Sequence, residues 1–148
     1  MAGNTIFRGP ITHQPISVSK PVAGAYMPGT FVEETATELV QITTSLGKLP
    51  LILSTLEFKD QTVTDAYADE DTGIAFALVP GMVVQARLRA GATYALNAPL
   101  KIAAAGQLAA ATTAGDIVIA FFSDTPGAYV QGDLVDVTIA NSYNVPAA

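Results

Sequence analysis

The stretch Met82-Val83-Val84-Gln85-Ala86-Arg87-Leu88-Arg89 sets the fold class of this 148-residue chain. Met82, Val84, Ala86 and Leu88 alternate with Gln85, Arg87 and Arg89. In an extended segment successive side chains point to opposite faces, so a period of two puts the apolar set on one face. The pattern predicts a strand that buries Met82, Val84, Ala86 and Leu88 and turns Gln85, Arg87 and Arg89 outward. Leu134-Val135-Asp136-Val137-Thr138-Ile139 repeats it, with Leu134, Asp136 and Thr138 on one face and Val135, Val137 and Ile139 on the other.

Beyond these two segments, the same grammar runs from Gly29 onward. Short runs rich in Val, Ile, Leu, Thr and Phe are bounded by Gly, Pro, Asp and Asn, which is how strands and their turns are written. The further strands expected are 30–33, 39–44, 49–53, 61–64, 74–78, 100–103, 107–110 and 116–122. The alanine-rich run Ile102–Ala111 is open to two readings, because alanine is also the best helix former. Gly106 at its centre and Thr112-Thr113-Ala114-Gly115 after it favour two short strands over one short helix. A short helix over 31–37 is a second competitor. Strands at this spacing predict an all-β fold, a small β-barrel or sandwich of short antiparallel strands.

Residues 1–28 are written differently from the domain expected over 29–148. Pro10, Pro15, Pro21 and Pro28 recur with Gly3, Gly9 and Gly24 between them. Proline removes a backbone donor and fixes φ, so this stretch is expected to be an extended N-terminal arm, with an edge-strand piece at Ile16–Ser19. Ile6, Phe7, Ile11, Ile16, Val18, Val22 and Tyr26 make it too apolar for a disordered tail. It either wraps its own domain or lies on a neighbouring chain. On the second reading, removing residues 2–27 leaves a folded domain that has lost its grip.

Only 14% of residues are charged, against about 25% in an ordinary soluble domain. Much of the surface is therefore neutral, or covered by a partner. The net charge of −6 and seven scattered cations argue against nucleic acid, whose binding needs clustered Lys and Arg. No apolar run approaches the roughly 18 residues of a membrane span, so no membrane partner is expected. Met1-Ala2-Gly3-Asn4-Thr5-Ile6-Phe7-Arg8 has neither the basic start nor the apolar stretch of an export signal. There is no cysteine, so disulfides and thiolate metal sites are excluded.

Catalysis needs tunable groups within hydrogen-bond reach of one another. The single histidine, His13, lies between Thr12 and Gln14 in the arm, with nothing to fix its tautomer. Asp65, Asp69, Glu70 and Asp71 form the one dense acidic group. A solvated loop is the plain reading of it, and a weak calcium site the alternative; the spacing fails the EF-hand pattern. Neither a phosphate-binding Gly-rich loop nor a nucleophile elbow occurs. The chain is expected to be no enzyme, with no catalytic residue, no metal site and no cofactor.

The segment Arg89-Ala90-Gly91-Ala92-Thr93-Tyr94-Ala95-Leu96-Asn97-Ala98-Pro99-Leu100-Lys101-Ile102 resembles part of the capsid decoration (head cement) proteins of tailed bacteriophages. The likeness continues through Ala105-Gly106-Gln107-Leu108, Ala110–Asp116, the strand Ile117–Phe122, the turn Asp124-Thr125-Pro126-Gly127 and Gly132–Ile139. It covers residues 80–140. The resemblance implies a structural virion protein, made in the host cytoplasm, that binds the outer surface of an icosahedral capsid. Its partners would be the major capsid protein and further copies of itself, a homotrimer in this class. Clamping neighbouring capsomers would stabilise the shell, because many weak contacts act together. The contacts expected are Ile6, Phe7, Arg8, Ile11, Ile16 and Tyr26, with Arg87 and Arg89 as polar partners. A second reading is a carbohydrate- or receptor-binding β module of a phage tail or cell surface, with Tyr67, Tyr94, Tyr129 and Tyr143 as its aromatic groove.

Overall fold

A computed structural model of the chain describes residues 4–90 and 93–146. Met1–Gly3 of the N-terminal stretch, and Gly91 and Ala92 of the segment that carries the family resemblance, lie outside the described residues.

Among the described residues the fold is all-β, two packed antiparallel sheets and a short ribbon, with no α-helix. The strands are β1 (Phe7–Gly9), β2 (Ile16–Pro21), β3 (Phe31–Glu34), β4 (Leu39–Gln41), β5 (Leu51–Leu53), β6 (Thr72–Ala77) and β7 (Val83–Arg87). They continue as β8 (Thr93–Tyr94), β9 (Pro99–Ile102), β10 (Leu108–Ala110), β11 (Ile117–Phe122), β12 (Gly127–Ala128) and β13 (Leu134–Asn144). One sheet runs β1-β7-β13-β11-β9-β10, the other β2-β6-β5-β3-β4, and β8 pairs β12. The first sheet curls until Leu88, just past β7, bridges Leu108 of β10. The result is a sandwich and not a closed barrel.

The alternation in β7 and β13 places the core. Val84, Ala86 and Leu88, with Val135, Val137, Ile139, Leu100, Ala120 and Phe122, fill the space inside the curl. Pairings Val84 with Val137, Ala86 with Val135 and Phe122 with Val137 keep these side chains on one face. Phe31 of β3 and Ile52 of β5 join them from the second sheet. A separate apolar layer, Val22, Val32, Leu39, Leu51, Leu53, Leu56, Tyr67 and Ala75, lies on the far side of the second sheet. It is covered by the loop from Ser54 to Asp71.

Three expectations change. Gln85 and Arg87 stand opposite Val84 and Ala86 but do not face solvent; both are buried. Residues 4–6 and 28–29 lie over that face. Gln85 Nε2 donates to the Thr5 carbonyl at 2.6 Å, and Gly29 sits against Arg87 and Leu134. The strand expected at 61–64 is a turn instead, because side chains there bond to their own loop. Gln61 Oε1 accepts from the Leu56 amide at 2.8 Å, and Asp65 Oδ2 accepts from the Thr62 amide at 2.9 Å. The stretch 31–37, weighed as a helix, is β3 followed by a turn.

The Ile102–Ala111 run is the hairpin β9–β10, with Ile102 paired to Leu108. A tight turn through Ala104–Gly106 joins its strands, with Ala105 in the left-handed region at φ +58°. Gly106 has φ +65°, and a Cβ there would stand 2.6 Å from the Phe31 carbonyl oxygen. Only glycine fits that approach.

Residues 4–28 run extended along the chain's own sheets. β1 takes the edge beside β7, and β2 pairs β6 from Ile16–Ala77 to Pro21–Thr72. Ile6 enters the core inside the first sheet and Val22 the layer behind the second. Truncation at residue 27 would therefore open both apolar layers.

Candidate interaction surface

β1 and β2 each occupy an end of their sheet's strand order, and a cleft lies beside them. Its floor is an aromatic pair: Phe7 of β1 meets Phe76 of β6 edge-on, ring centres 6.3 Å apart at 73°. One compartment, of about 460 Å³, is lined by Thr5, Phe7, Arg8, Gly9, Ile11, Gln14, Ser54, Glu57 and Phe76. A second, of about 320 Å³, shares Ser54, Glu57 and Phe76 and adds Ser17, Thr55, Phe58 and Ile74. Local chain geometry sets the rim. His13 N bonds the Pro10 carbonyl in a turn that leaves Ile11 83% exposed. The 3-10 turn Glu57–Lys59 holds Phe58 76% exposed on the other side.

Thr55 distinguishes this cleft from an ordinary surface groove. It is 4% exposed, and among the described residues its Oγ1 has no hydrogen-bond partner. A buried hydroxyl without a partner costs about 1–3 kcal/mol, and this one is enclosed behind the cleft wall. The loop that presents it is firmly anchored. Tyr67, buried beneath, donates its hydroxyl to the Ser54 carbonyl at 2.5 Å, and burial pushes that phenol up to about 12.

The expected contact residues divide into two groups. Phe7, Arg8 and Ile11 line the cleft, and exposed Ile16 begins β2 next to Ser17. Arg8 also pairs with Asp136 of β13, Nε to Oδ1 at 3.3 Å. Burial raises the Asp136 carboxyl above its ordinary value, and Arg8 partly offsets that. The other four do not line the cleft. Ile6 is core, Tyr26 packs on the layer behind the second sheet, and Arg89 Nη1 donates to the Ala104 carbonyl at 3.3 Å.

Arg87 is 9% exposed. Its Nε donates to Pro28 O at 2.7 Å, Nη1 to Gly132 O at 2.8 Å, and Nη2 to Val63 O. Desolvation lowers its pKa, with Asp133 opposing. Ile6 and Arg87 therefore do not present surface to a partner in this structure. Thr55, Phe58 and Phe76 were missed, because nothing in a single sequence marks which apolar residues a sheet edge leaves uncovered.

The other candidate chemistry resolves into local structure. Asp65 accepts from the Thr62 amide and hydroxyl, which hold its carboxyl below the usual range. Asp71 Oδ2 caps the Ala68 amide at 3.0 Å. Among the described residues no three His, Cys, Asp or Glu side chains converge as a metal site. The tyrosines form no groove. Tyr67 and Tyr94 are buried; Tyr94 stacks on Phe122 at 5.5 Å, and Tyr129 meets both of those rings edge-on.

The architecture is thus that of an antiparallel β-sandwich whose polar side chains mostly fasten its own loops. It has a counterpart among solved structures: the N base of the head fibre gp8.5 of bacteriophage phi29. The two superpose with a TM-score of 0.58 at 12% identity, over 90% of this chain and 100% of that one. That likeness is one of fold. No protein-family model and no curated protein matches the chain.

Proposed function

We propose that this chain is a structural protein of a bacteriophage virion, carried on the outside of the head, and not an enzyme. One observation carries the reading: its sandwich is similar to the whole of a head-fibre base over nine-tenths of its own length. The resemblance of residues 80–140 to capsid decoration proteins points the same way. On this reading the protein attaches to the major capsid protein of an icosahedral shell and associates with further copies of itself, as a trimer in the decoration class. It stabilises the shell by bridging neighbouring capsomers.

The cleft beside β1 and β2 suits the capsid contact. Exposed Ile11 and Phe58 frame it, and the Phe7–Phe76 pair gives it an apolar floor. An apolar anchor desolvated in such a pocket, with a polar rim around it, is how a small interface concentrates its binding energy.

Electron cryo-microscopy of purified particles tests the proposal. Density for this sandwich is expected on the exterior of the head. Absence of the chain from particles, or its location on the tail alone, would overturn it.

A further inference from the structure

A sheet edge with open backbone groups borders the cleft. β2 is the last strand of the five-stranded sheet. Val22, just past it, accepts from the Glu70 amide and donates to the Asp71 carbonyl, both on the β6 side. Backbone direction alternates along an antiparallel strand. Val18 and Lys20 therefore bond toward β6, while Ser17 and Ser19 aim N–H and C=O away from it. Beyond Lys20 that outward side is closed: Val22 bridges Leu39 of β4, and Ala23 N donates to the Leu39 carbonyl at 2.9 Å. Lys20 Nζ crosses the next gap to the Thr35 carbonyl at 2.6 Å. From Ser19 back to Ile16, no strand among the described residues pairs with the outward groups.

The other strand ends are closed or broken. β10 is bridged to Leu88 and β4 to Val22. β1 has three residues in an irregular register and stops before Pro10, which lacks a donor. Where β13 overhangs β7, Pro50 and Pro80 line the hollow beside it. Ile16–Ser19 carries no charge, no proline and no bulge, the devices that keep an edge unpaired. Its Ile16 is 76% exposed.

We infer that the cleft takes its partner by strand addition: an extended segment of the shell protein pairs with Ser17 and Ser19 and lays an apolar side chain over them into the cleft. The inference deepens the capsid contact put forward above and rests on it. Open N–H and C=O groups two residues apart are matched by another extended chain, with side-chain pockets setting its identity. Across the strands Ser17 pairs Phe76 and Ser19 pairs Ile74. Ser17, Phe58, Ile74 and Phe76 share one compartment of the cleft. The serines are small, so the wall on the β2 side is low. A Leu, Ile or Phe on a strand about 4.8 Å farther out reaches over them to the larger side chains. The β2 of a second copy would set serine against serine on this face and leave Ile74 and Phe76 uncovered. The occupant is therefore a different chain, with an apolar side chain opposite Ser17.

The test is co-sedimentation of the full chain with undecorated capsids, for wild type, Ser17→Pro, Ser19→Pro and the double variant S17A/S19A. Each proline removes an outward N–H and puts its ring where the added strand would lie, while the ladder to β6 keeps its donors. Both proline variants should unfold in urea near the wild-type midpoint and bind shells roughly tenfold or more weakly. S17A/S19A keeps the backbone and should bind like wild type. Backbone amide exchange gives a readout that needs no variant, should the prolines unfold the chain. The Ser17 and Ser19 amides should exchange fast in the free protein and slowly on shells.

Folded proline variants that bind as tightly as wild type overturn strand addition, and so does exchange at Ser17 and Ser19 that shells leave unchanged. Loss of binding by Ile11→Asp and Phe58→Asp in that case keeps the cleft as the capsid contact. Protection of the same amides that grows with the concentration of free protein overturns the shell segment in favour of a second copy. A wild type that does not bind shells refutes both the contact and its mode.

Discussion

Arg87 and Pro28 are joined by a hydrogen bond of 2.7 Å from the guanidinium Nε to the carbonyl. That bond ties the end of the proline-spaced stretch to the end of β7, next to the edge of the six-stranded sheet. The same guanidinium reaches Gly132 and Val63, so three separate loops converge on one side chain. A buried cation is tolerated here because every arm of its fork meets a carbonyl.

Arg87→Met is therefore expected to destabilise the fold by about 3 kcal/mol, since buried acceptors lose charged donors. Arg87→Lys should recover little of it, because one ammonium cannot serve three directions. Urea unfolding checks both. A midpoint within error of wild type for the methionine variant would show that the three carbonyls find water instead.

The first 28 residues show where the sequence is legible and where it is not. Proline spacing announces an extended path, and the apolar content of Ile6, Phe7 and Val22 announces that something covers them. What covers them is long-range: Ile6 packs in the core of β7 and β13, and Val22 behind β3 and β5. No local pattern encodes that distance. The alternation in β7 located Val84 and Ala86 correctly, yet the same alternation made Arg87 look wet. Periodicity assigns a face and says nothing about whether another segment lies on it. The strands β8 and β12, two residues each, are too short to leave a period, and the cleft is legible only in part, through Phe7, Arg8 and Ile11.

Deletion of residues 2–27 follows from the same contacts. It removes β1, β2, Ile6 and Val22 together. Burying each of those two side chains is worth roughly 1.5–3 kcal/mol, a large share of a marginal total of about 5–15 kcal/mol. The truncated chain should lose cooperative unfolding, by circular dichroism melts, as well as attachment. A sharp melt at the wild-type temperature would mean that residues 4–28 contribute no core.

Two glycines with nearly the same φ separate strain from crowding. Gly47, at +68°, has nothing within 4 Å of the position a Cβ would take, whereas Gly106, at +65°, faces the Phe31 backbone at 2.6 Å. Gly47→Ala should cost about 1 kcal/mol, the backbone penalty alone. Gly106→Ala should cost several-fold more, since β3 must shift. Equal costs in denaturant titrations would show that the hairpin β9–β10 can move away from β3 freely.

The cleft makes a prediction about attachment that stability does not share. Ile11 and Phe58 are exposed, so Ile11→Asp and Phe58→Asp should alter stability by no more than about 0.5 kcal/mol. If a partner's apolar group buries against them, each change should weaken binding to undecorated capsids by roughly tenfold or more, from the usual worth of a buried apolar side chain. Co-sedimentation with capsids measures it. Wild-type binding by both variants would remove this cleft from the capsid contact.

Tyr67 supplies a pH dependence whose direction is fixed by its burial. Its pKa rises from 10.0 to about 12 in the folded chain, chiefly through desolvation. Below 10.0 the phenol is protonated in both states, and its contribution to stability is whole. As pH climbs from there, the unfolded chain releases the proton while the folded chain holds it, so stability declines until the folded group also ionises near 12. Tyr67→Phe removes both this titration and the hydrogen bond to Ser54, at a cost of about 1 kcal/mol at neutral pH. Urea unfolding of the two proteins should therefore show a gap that is constant from neutral pH to the ordinary tyrosine range and narrows above it. Tyr94 and Tyr129 are also shifted upward by burial, but both remain in the variant and cancel in the difference. A gap that stays constant through the whole alkaline range would mean that the Tyr67 hydroxyl reaches water without unfolding.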